Sequence, residues 1–278
     1  MKKIDESDLI VNDQNGGLPR LLEIMRRLRD PKSGCPWDIE QDFKSIAPYT
    51  IEEAYEVADA IERNAMDELP GELGDLLLNV VYHAQMGAET GSFDFNDVMR
   101  GVCDKMVHRH PHVFGAETRD KSAEQQVQDW EKIKADERAD KQESSVLDGV
   151  AVGLPGLTRA VKLQNRAARV GFDWPETDMV LDKIVEEAAE LVEARDQFSQ
   201  TEIEEEFGDL MFVIANLARH LKVDPETALR KANAKFTRRF NAVEAELAQR
   251  GSSPAQSDLD EMDALWNTVK TREKSAES

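Results

Sequence analysis

Two acidic patterns, close together in the first half of the chain, offer the clearest chemistry in this sequence. Glu52, Glu53 and Glu56 form an EExxE pattern, and Glu72 and Asp75 follow as ExxD. Residues three or four apart share one face of a helix. If the two patterns lie on helices that pair antiparallel, their carboxylates can converge between the helices. Carboxylate oxygens are hard ligands that select Mg²⁺ or Mn²⁺ over zinc.

The same two patterns return later in the chain at a constant offset. Glu186, Glu187 and Glu190 repeat the first pattern, and Glu206 and Asp209 repeat the second, each 134 residues after its counterpart. One acidic run on a helix is usually a solvated face. Two copies with identical internal spacing instead indicate a duplicated site.

Weaker repeats flank both acidic regions in the same order. They are a Gly-x-x-Trp pair, a Lys-x-x-x-Arg pair and a later Trp: Gly34 to Trp37, Lys105 to Arg109 and Trp130 in the first half; Gly171 to Trp174, Lys235 to Arg239 and Trp266 in the second. Duplication of a module of about 130 residues explains this order.

Changes in composition place the boundaries of the modules. Ser, Gly and Pro are mixed into the segment that ends near residue 157, which is typical of a linker. We therefore predict an N-terminal extension at 1–17, a first module at 18–140, a linker at 141–157 and a second module at 158–278.

Helical periodicity covers almost the whole chain, and strand patterns are scarce, so we predict an all-α fold. Pro and Gly mostly fall between the predicted helices. Pro70, Gly71 and Gly74 are exceptions, and they indicate that the third helix starts later than its periodicity suggests. The predicted helices are 18–30, 48–64, 66–90, 94–109, 122–140, 156–170, 177–198, 201–221, 225–249 and 258–273.

Composition excludes several classes of partner. The 278 residues are 40% hydrophobic, which suffices for a packed core, and their net charge of −21 repels nucleic acid and anionic membranes. The apolar stretches are shorter than the roughly 20 residues of a membrane span, and the N-terminus lacks the apolar segment of a signal peptide. Cys35 and Cys103 form no CxxC motif, so we expect reduced thiols and a cytoplasmic location.

The complete pattern, EExxE, a spacer of 15 residues and ExxD, resembles the signature of the MazG-type all-α nucleoside triphosphate pyrophosphohydrolases. The resemblance covers roughly residues 18–272 and is strongest to two-module bacterial members. It implies tandem helical-bundle modules of this type. The segments that carry it are 25–38, 46–61, 71–86, 108–115, 170–174, 208–221 and 231–240.

The resemblance also implies a reaction and a ligand set. Members of the family cleave an NTP or dNTP between the α- and β-phosphates. Carried over, the metal ligands for Mg²⁺, with Mn²⁺ as a substitute, are Glu53, Glu56, Glu72 and Asp75 in the first module and Glu187, Glu190, Glu206 and Asp209 in the second. Glu52 or Glu186 would orient or deprotonate the attacking water. We expect Glu186, Glu187 and Glu190 to be the catalytic residues.

Other side chains become candidates for substrate binding. Lys235, Arg238 and Arg239 could contact the β- and γ-phosphates, with Lys105 and Arg109 as their counterparts. Ordinary surface charge is the alternative for these cations. Trp266 could stack on the base or belong to the core. Asn216 could bind ribose or the water shell of the metal, or have a capping or surface role.

The second module is the better candidate for catalysis. It has more cations near the expected phosphate position, and the C-terminal module is generally the catalytic one in two-module relatives. The first module would then be regulatory, weakly active or structural. We also expect a homodimer or a higher homo-oligomer, because helices this amphipathic need more partners than one module supplies.

Three other functions remain open. A ferritin-like di-iron protein needs Glu-x-x-His on two helices, whereas both copies here have Glu-x-x-Asp. A non-catalytic acidic scaffold would contain the same helices. A narrower dUTPase or phosphoribosyl-ATP pyrophosphohydrolase would share the helical module. His108, His110 and His112 flank Pro111, and we expect them to shape a loop.

Overall fold

A computed structural model describes residues 6–116, 120–123, 125–126, 129–130, 133, 137 and 145–276. Across these residues every regular element is a helix, which confirms the all-α prediction. The chain divides into two compact units, Met1–Lys134 and Ala135–Ser278. These units correspond to tandem helical modules, although the finer boundaries of the predicted extension and linker stay predictions.

The first unit is built around one long pair of helices. Helices α4 and α5 make the most extensive contact of this unit, while α2 and α6 pack on α5 and α1 packs on α2. The helices are α1 Glu6–Asn12, α2 Gly17–Leu28, α3 Pro36–Glu40, α4 Phe43–Glu62, α5 Leu69–Thr90, α6 Phe95–Arg109 and α7 Pro111–Phe114.

The second unit is built around a corresponding pair of helices. Helices α9 and α10 form its most extensive pair, α8 packs on α10, and α11 packs on α12 and α8. The helices are α8 Gly156–Arg169, α9 Thr177–Gln197, α10 Gln200–His220, α11 Pro225–Gln249 and α12 Leu259–Ala276, with a 3₁₀ turn at Pro254–Gln256.

The start of α4 corrects one prediction. The helix begins at Phe43 and not at residue 48, because the Asp42 carboxylate accepts hydrogen bonds from the backbone N–H groups of Lys44 and Ser45, both at 2.8 Å. This cap satisfies donors at the first turn. Pro48 therefore lies inside the helix, where it removes one backbone hydrogen bond. Helix α5 starts at Leu69, as the glycines and Pro70 had indicated.

Three short helices were not predicted. Helices α1, α3 and α7 have four to seven residues each, too few for a periodic pattern to stand out. Helix α1 lies in the predicted extension and is held on α2 by Arg27, which donates 2.6 Å hydrogen bonds to Ser7 Oγ and Asp8 Oδ1. The predicted helix at 122–140 falls mainly outside the described residues.

Each unit has its own apolar core. In the first, Met25 from α2, Ile46 from α4 and Val81, Tyr82 and Met86 from α5 form one buried cluster. In the second, α11 and α12 bury a cluster of Val243, Leu247, Leu265 and Val269. None of the described helices combines the length and apolar character that crossing a bilayer requires.

An ion pair at the end of the first core joins α2 to α5. The Arg29 side chain is only 8% exposed, and its Nη2 lies 2.7 Å from Glu89 Oε2. Its Nη1 donates to the Gln41 carbonyl at 3.1 Å, and its guanidinium lies 5.3 Å from the centre of the Tyr82 ring. Because the arginine is buried, loss of its partner leaves a charge that little else neutralises.

We expect Glu89→Gln to lower the free energy of unfolding by about 1–2 kcal/mol at neutral pH. The hydrogen bond from Arg29 lowers the pKa of Glu89. The stabilisation is therefore complete above the unfolded-state pKa of about 4.3 and disappears as the pH falls through the lower folded-state pKa. Urea unfolding across this range measures it, with the exposed Glu40→Gln as control. An equal difference at every pH would contradict the assignment.

Candidate functional site

The first acidic centre lies between α4 and α5. One carboxylate oxygen from each of Glu53, Glu56 and Glu72 falls within 4.8 Å of the other two. Glu53 and Glu72 are half-buried, whereas Glu56 is exposed. The spacing within the two patterns thus brings their carboxylates together, because the helices that carry them form the main pair of the unit.

The convergence of the carboxylates is electrostatically unfavourable at Glu53. Burial raises its pKa above the ordinary value, and a hydrogen bond and the charge of Glu56 raise it further, with smaller effects from Asp75 and Glu52. Its Oε2 is buried and has no hydrogen-bond partner among the described residues. A buried carboxylate oxygen among like charges is unfavourable unless a proton or cation neutralises it. The centre therefore has the character of a cation site.

The second acidic centre lies between α9 and α10 in the same way. Oxygens of Glu187, Glu190 and Glu206 lie within 4.8 Å of one another, and Glu187 is only 6% exposed. Burial raises the pKa of Glu206, and the charges of Glu190, Asp209 and Glu187 add to the effect. Asp209 is thus close enough to act through its charge, as Asp75 is in the first centre.

Lys183 is a residue of the second centre that the sequence analysis missed. Its Nζ lies 2.8 Å from Glu186 Oε1 and 2.7 Å from Glu187 Oε1. Hydrogen bonds to Glu186 and then Glu187 raise the pKa of Lys183, so it stays charged. Because Lys183 lies one helical turn before Glu187, the sequence spacing could have predicted this contact. At the 134-residue offset the first module has Tyr49 there instead.

Both centres fit a hard divalent cation. Each offers three converging carboxylates, with a fourth nearby, and no His or Cys belongs to either group of ligand atoms. All-oxygen sets of this kind suit Mg²⁺ or Mn²⁺. The structure therefore brings together six of the eight predicted ligands and places Asp75 and Asp209 beside them.

The cations predicted to bind phosphate lie on α11 beside α12. Arg238 and Arg239 both pair with Glu273, at Nε–O distances of 2.9 and 2.7 Å, while Lys235 is exposed on the same helix. The guanidinium of Arg239 lies 5.8 Å from the centre of the Trp266 ring. To bind a phosphate, the arginines must share or release Glu273.

Trp266 and Trp130 are both packed. The Trp266 ring lies 5.3 Å from Phe236 and rests against the core of α11 and α12. Trp130 Nε1 donates to the Arg109 carbonyl at 2.9 Å, and the ring meets His110 edge to face at 5.1 Å. These contacts support the interpretation that Trp266 belongs to the core. The aromatic contact of His110 agrees with a loop-shaping role for the histidines.

The remaining candidates for substrate binding lie on α6 and on α10. Lys105 is exposed on α6, and Arg109 ends that helix. Asn216 is only 4% exposed on α10, and its Oδ1 accepts a hydrogen bond from Arg219 Nη2 at 2.9 Å. It lines a cavity of about 520 Å³ in the second unit. A surface role for Asn216 is thus wrong, because its side chain is buried.

We expect Lys183→Met to destabilise the metal-free protein by about 2 kcal/mol, since the buried Glu187 carboxylate loses its cation. Saturating Mn²⁺ should then raise the melting temperature of the variant more than that of the wild type, because a metal ion no longer competes with the ammonium group. Differential scanning calorimetry with and without Mn²⁺ measures both effects. Tyr49→Phe, at the corresponding position of the first module, is the control. Equal Mn²⁺-induced shifts in variant and wild type would argue against Lys183 as the competing cation.

Comparison with known proteins agrees with this arrangement. A sequence model of the MazG nucleotide pyrophosphohydrolase domain matches residues 41–114 and 176–244, which contain both acidic centres. The chain is 52% identical over 258 residues to the nucleoside triphosphate pyrophosphohydrolase of Escherichia coli K12, covering 92% of this chain and 98% of that protein.

A second relative is somewhat less similar in sequence. The nucleoside triphosphate pyrophosphohydrolase/pyrophosphatase MazG of Thermotoga maritima is 44% identical over 250 residues, covering 90% of this chain and 94% of that protein. The domain match spans about half of the chain, and both relatives align along nearly their whole length. This chain therefore belongs to the MazG nucleotide pyrophosphohydrolase family.

Proposed function

We propose that the chain hydrolyses nucleoside triphosphates, in the ribo or deoxy form, to nucleoside monophosphate and pyrophosphate, with Mg²⁺ as cofactor and the second module as the active one. The observation that carries the proposal is the convergence of Glu187, Glu190 and Glu206 between two paired helices. The names of the E. coli and T. maritima relatives support the same reaction.

The charge of the site explains why a metal ion is needed. A triphosphate is an anion, and it would meet converging carboxylates on a chain with a net charge of −21. Glu187, Glu190, Glu206 and Asp209 would hold Mg²⁺, or Mn²⁺ in its place. Bound there, the ion would supply charge neutralisation and lower the pKa of a water.

The side chains of the second module then have separate tasks. Glu186 is exposed and within reach of the centre through Lys183, so it can orient the attacking water or accept its proton. The attack is an in-line displacement at the α-phosphorus, for which positioning matters more than covalent chemistry. Lys235, Arg238 and Arg239 are proposed to stabilise the charge that develops on the leaving pyrophosphate.

The first module keeps the ligands but differs in its surroundings. Tyr49 stands where the second module has Lys183, and Glu53 has a raised pKa. Lys105 and Arg109 remain its counterparts for phosphate binding. We propose that this module binds a cation in a regulatory, weakly active or structural role.

An assay of pyrophosphate release with a panel of NTPs and dNTPs and Mg²⁺ tests the function. We expect Glu190→Gln to lower kcat/KM by at least about 100-fold, because it removes a ligand that acts on the transition state. Glu56→Gln, the same substitution in the first module, should retain most of the activity. A wild type that releases no pyrophosphate would favour an acidic scaffold instead.

We further propose that the protein is a homodimer or a higher homo-oligomer. Large apolar side chains are exposed at corresponding positions of the two modules: Ile51 and Val185, and Leu73 and Phe207. They lie on the helices that carry the acidic centres. Large apolar side chains exposed at repeated positions of paired helices are typical of an interface between chains.

Sedimentation equilibrium should therefore give at least twice the chain mass of 31.3 kDa. Introducing a charge with Val185→Lys or Phe207→Lys should shift the assembly toward the monomer, because a buried lysine without a partner is strongly unfavourable. Leu9→Lys, at an exposed apolar position on α1, is the control. A wild type that sediments as a monomer at all concentrations would refute the assembly.

The cytoplasmic location and the exclusion of nucleic acid and membranes as partners stay predictions. They rest on the acidic composition and on the free thiols of Cys35 and Cys103. The preferred base and sugar depend on the shape of the substrate pocket.

A further inference from the structure

A single carboxylate in the second module binds two of the cations assigned to the phosphates. Glu273, near the end of α12, accepts a hydrogen bond from Arg238 Nε at 2.9 Å through Oε1. Through Oε2 it accepts one from Arg239 Nε at 2.7 Å. The chemistry assigned so far does not involve Glu273, and a carboxylate by itself repels a phosphate. The contacts of Glu273 with both arginines therefore require an explanation.

Glu273 brings together two side chains that the helix separates. Adjacent residues of an α-helix point about 100° apart, since one turn contains 3.6 residues. Arg238 and Arg239 therefore leave α11 in different directions, and their positive charges also repel each other. Each arginine binds a different oxygen of the same carboxylate, which lies on the neighbouring helix. The carboxylate thus holds two guanidinium groups at one place on the surface of the module.

The contact is partly buried on the side of Arg239. The side chains of Arg239 and Glu273 are 15% and 22% exposed, whereas that of Arg238 is 61% exposed. The Arg239 guanidinium also lies 5.8 Å from the centre of the Trp266 ring, which rests against the core of α11 and α12. Hydrogen bonds from Arg238 and then from Arg239 lower the pKa of Glu273, so the carboxylate stays ionised at neutral pH. Arg239 is therefore fixed on two sides, by Trp266 and by Glu273.

Contacts through Nε are compatible with phosphate binding by the same arginines. A guanidinium has five N–H donors, and Nε carries one of them while the two outer nitrogens carry four. An anion bound at the outer edge can therefore share the guanidinium with a carboxylate at Nε. Two arginines and one glutamate together keep a net positive charge, and Lys235 lies one turn before Arg239 on the same helix. The group as a whole still attracts a phosphate.

We infer that Glu273 is a positioning residue for the triphosphate, which keeps Arg238 and Arg239 together so that both bind its β- and γ-phosphates. This role rests on the proposed function, which assigns these arginines to the phosphates. The alternative is a competing anion, in which case Glu273 must leave before a phosphate binds. Displacement would separate a mostly shielded carboxylate from its cations, which is unfavourable, so the burial of the contact favours positioning.

The first module has a glutamate at the corresponding place in the sequence. Glu137 lies seven residues after Trp130, as Glu273 lies seven residues after Trp266. The first module also has Arg109 as the counterpart of the packed arginine, but a histidine precedes it in place of the second arginine. One arginine and the glutamate are thus common to both modules. Two arginines next to each other, which need a shared partner to converge, occur at this place in the second module only.

Substitution of Glu273 tests the inference. Glu273→Gln removes the charge and can accept from only one arginine, since its amide nitrogen is a donor. We expect KM for nucleoside triphosphates and the inhibition constant of tripolyphosphate to rise together about tenfold, because the arginines no longer converge. Glu273→Asp, which keeps a carboxylate on a shorter side chain, should limit both increases to about threefold. A lower KM in Glu273→Gln would overturn the inference, because it would show that the carboxylate competes with phosphate.

The controls separate positioning from damage to the fold. Partial loss of folded protein lowers the apparent kcat and leaves KM unchanged, so a fall in kcat alone would overturn the inference. Arg272→Gln breaks a second ion pair between α11 and α12, in which Arg272 Nη1 donates to Glu246 Oε1. This variant should leave both constants within about twofold of the wild type. A rise in Arg272→Gln equal to that in Glu273→Gln would show a general effect of helix contacts and would also overturn the inference.

A double-mutant cycle shows whether Glu273 acts through the arginines. In a protein that carries both Arg238→Gln and Arg239→Gln, the further change Glu273→Gln should alter KM by less than about twofold, because the groups that it positions are absent. A tenfold effect that persists in this background would overturn the inference.

A binding measurement keeps the inference testable if the proposed function fails. Isothermal titration calorimetry of the full chain with tripolyphosphate and Mg²⁺ measures phosphate affinity without a nucleotide. Weaker binding by Glu273→Gln, in a protein that releases no pyrophosphate from triphosphates, would support the positioning role and refute the reaction. Equal binding by the variant and the wild type, with hydrolysis intact, would refute the positioning role alone.

Discussion

Repulsion between carboxylates is the interaction on which this structure depends. Two paired helices in each module bring three glutamates together, and burial, with the neighbouring carboxylates adding to it, raises the pKa values of Glu53 and Glu206. The α4–α5 and α9–α10 contacts are the most extensive in their modules, so packing holds the charges where electrostatics alone would separate them. A cation bound at such a place would restore the stability that the repulsion removes.

The two modules resolve this repulsion differently. In the second, the Lys183 ammonium bridges Glu186 and Glu187 and neutralises part of the charge. In the first, Tyr49 replaces the lysine, and burial and Glu56 raise the pKa of Glu53. Duplication has therefore preserved the ligand spacing, which is local, while the groups around it have diverged. A second example comes from the repeat of Gly17-Leu-x-Arg20 as Gly156-Leu-x-Arg159, which makes Met25 the counterpart of Gln164. Met25 packs in the core of the first module, whereas Gln164 lines a cavity in the second.

Local spacing explains which parts could be predicted from sequence. The helices that carry Glu53 and Glu187 have long periodic patterns, and residues three or four apart must share a face. The start of α4 depended on the Asp42 cap outweighing Pro48, and α1 was too short to show a period. The Arg239–Glu273 pair joins residues 34 apart on different helices, so no local pattern reveals it. Lys183 lay within a helical turn of Glu187 and could have been found.

Lys183 does not replace a metal ion in the second centre, because its single positive charge is smaller than the negative charge around it. The Lys183 ammonium pairs with Glu186 and Glu187, whereas Glu190, Glu206 and Asp209 add further negative charge to the centre, so negative charge remains even before a triphosphate arrives. A divalent ion carries twice the charge of an ammonium and can bind oxygens of protein and substrate together. Lys183 therefore neutralises only part of the negative charge of the centre. The remaining negative charge of the centre therefore still favours a divalent ion, as the proposed reaction requires.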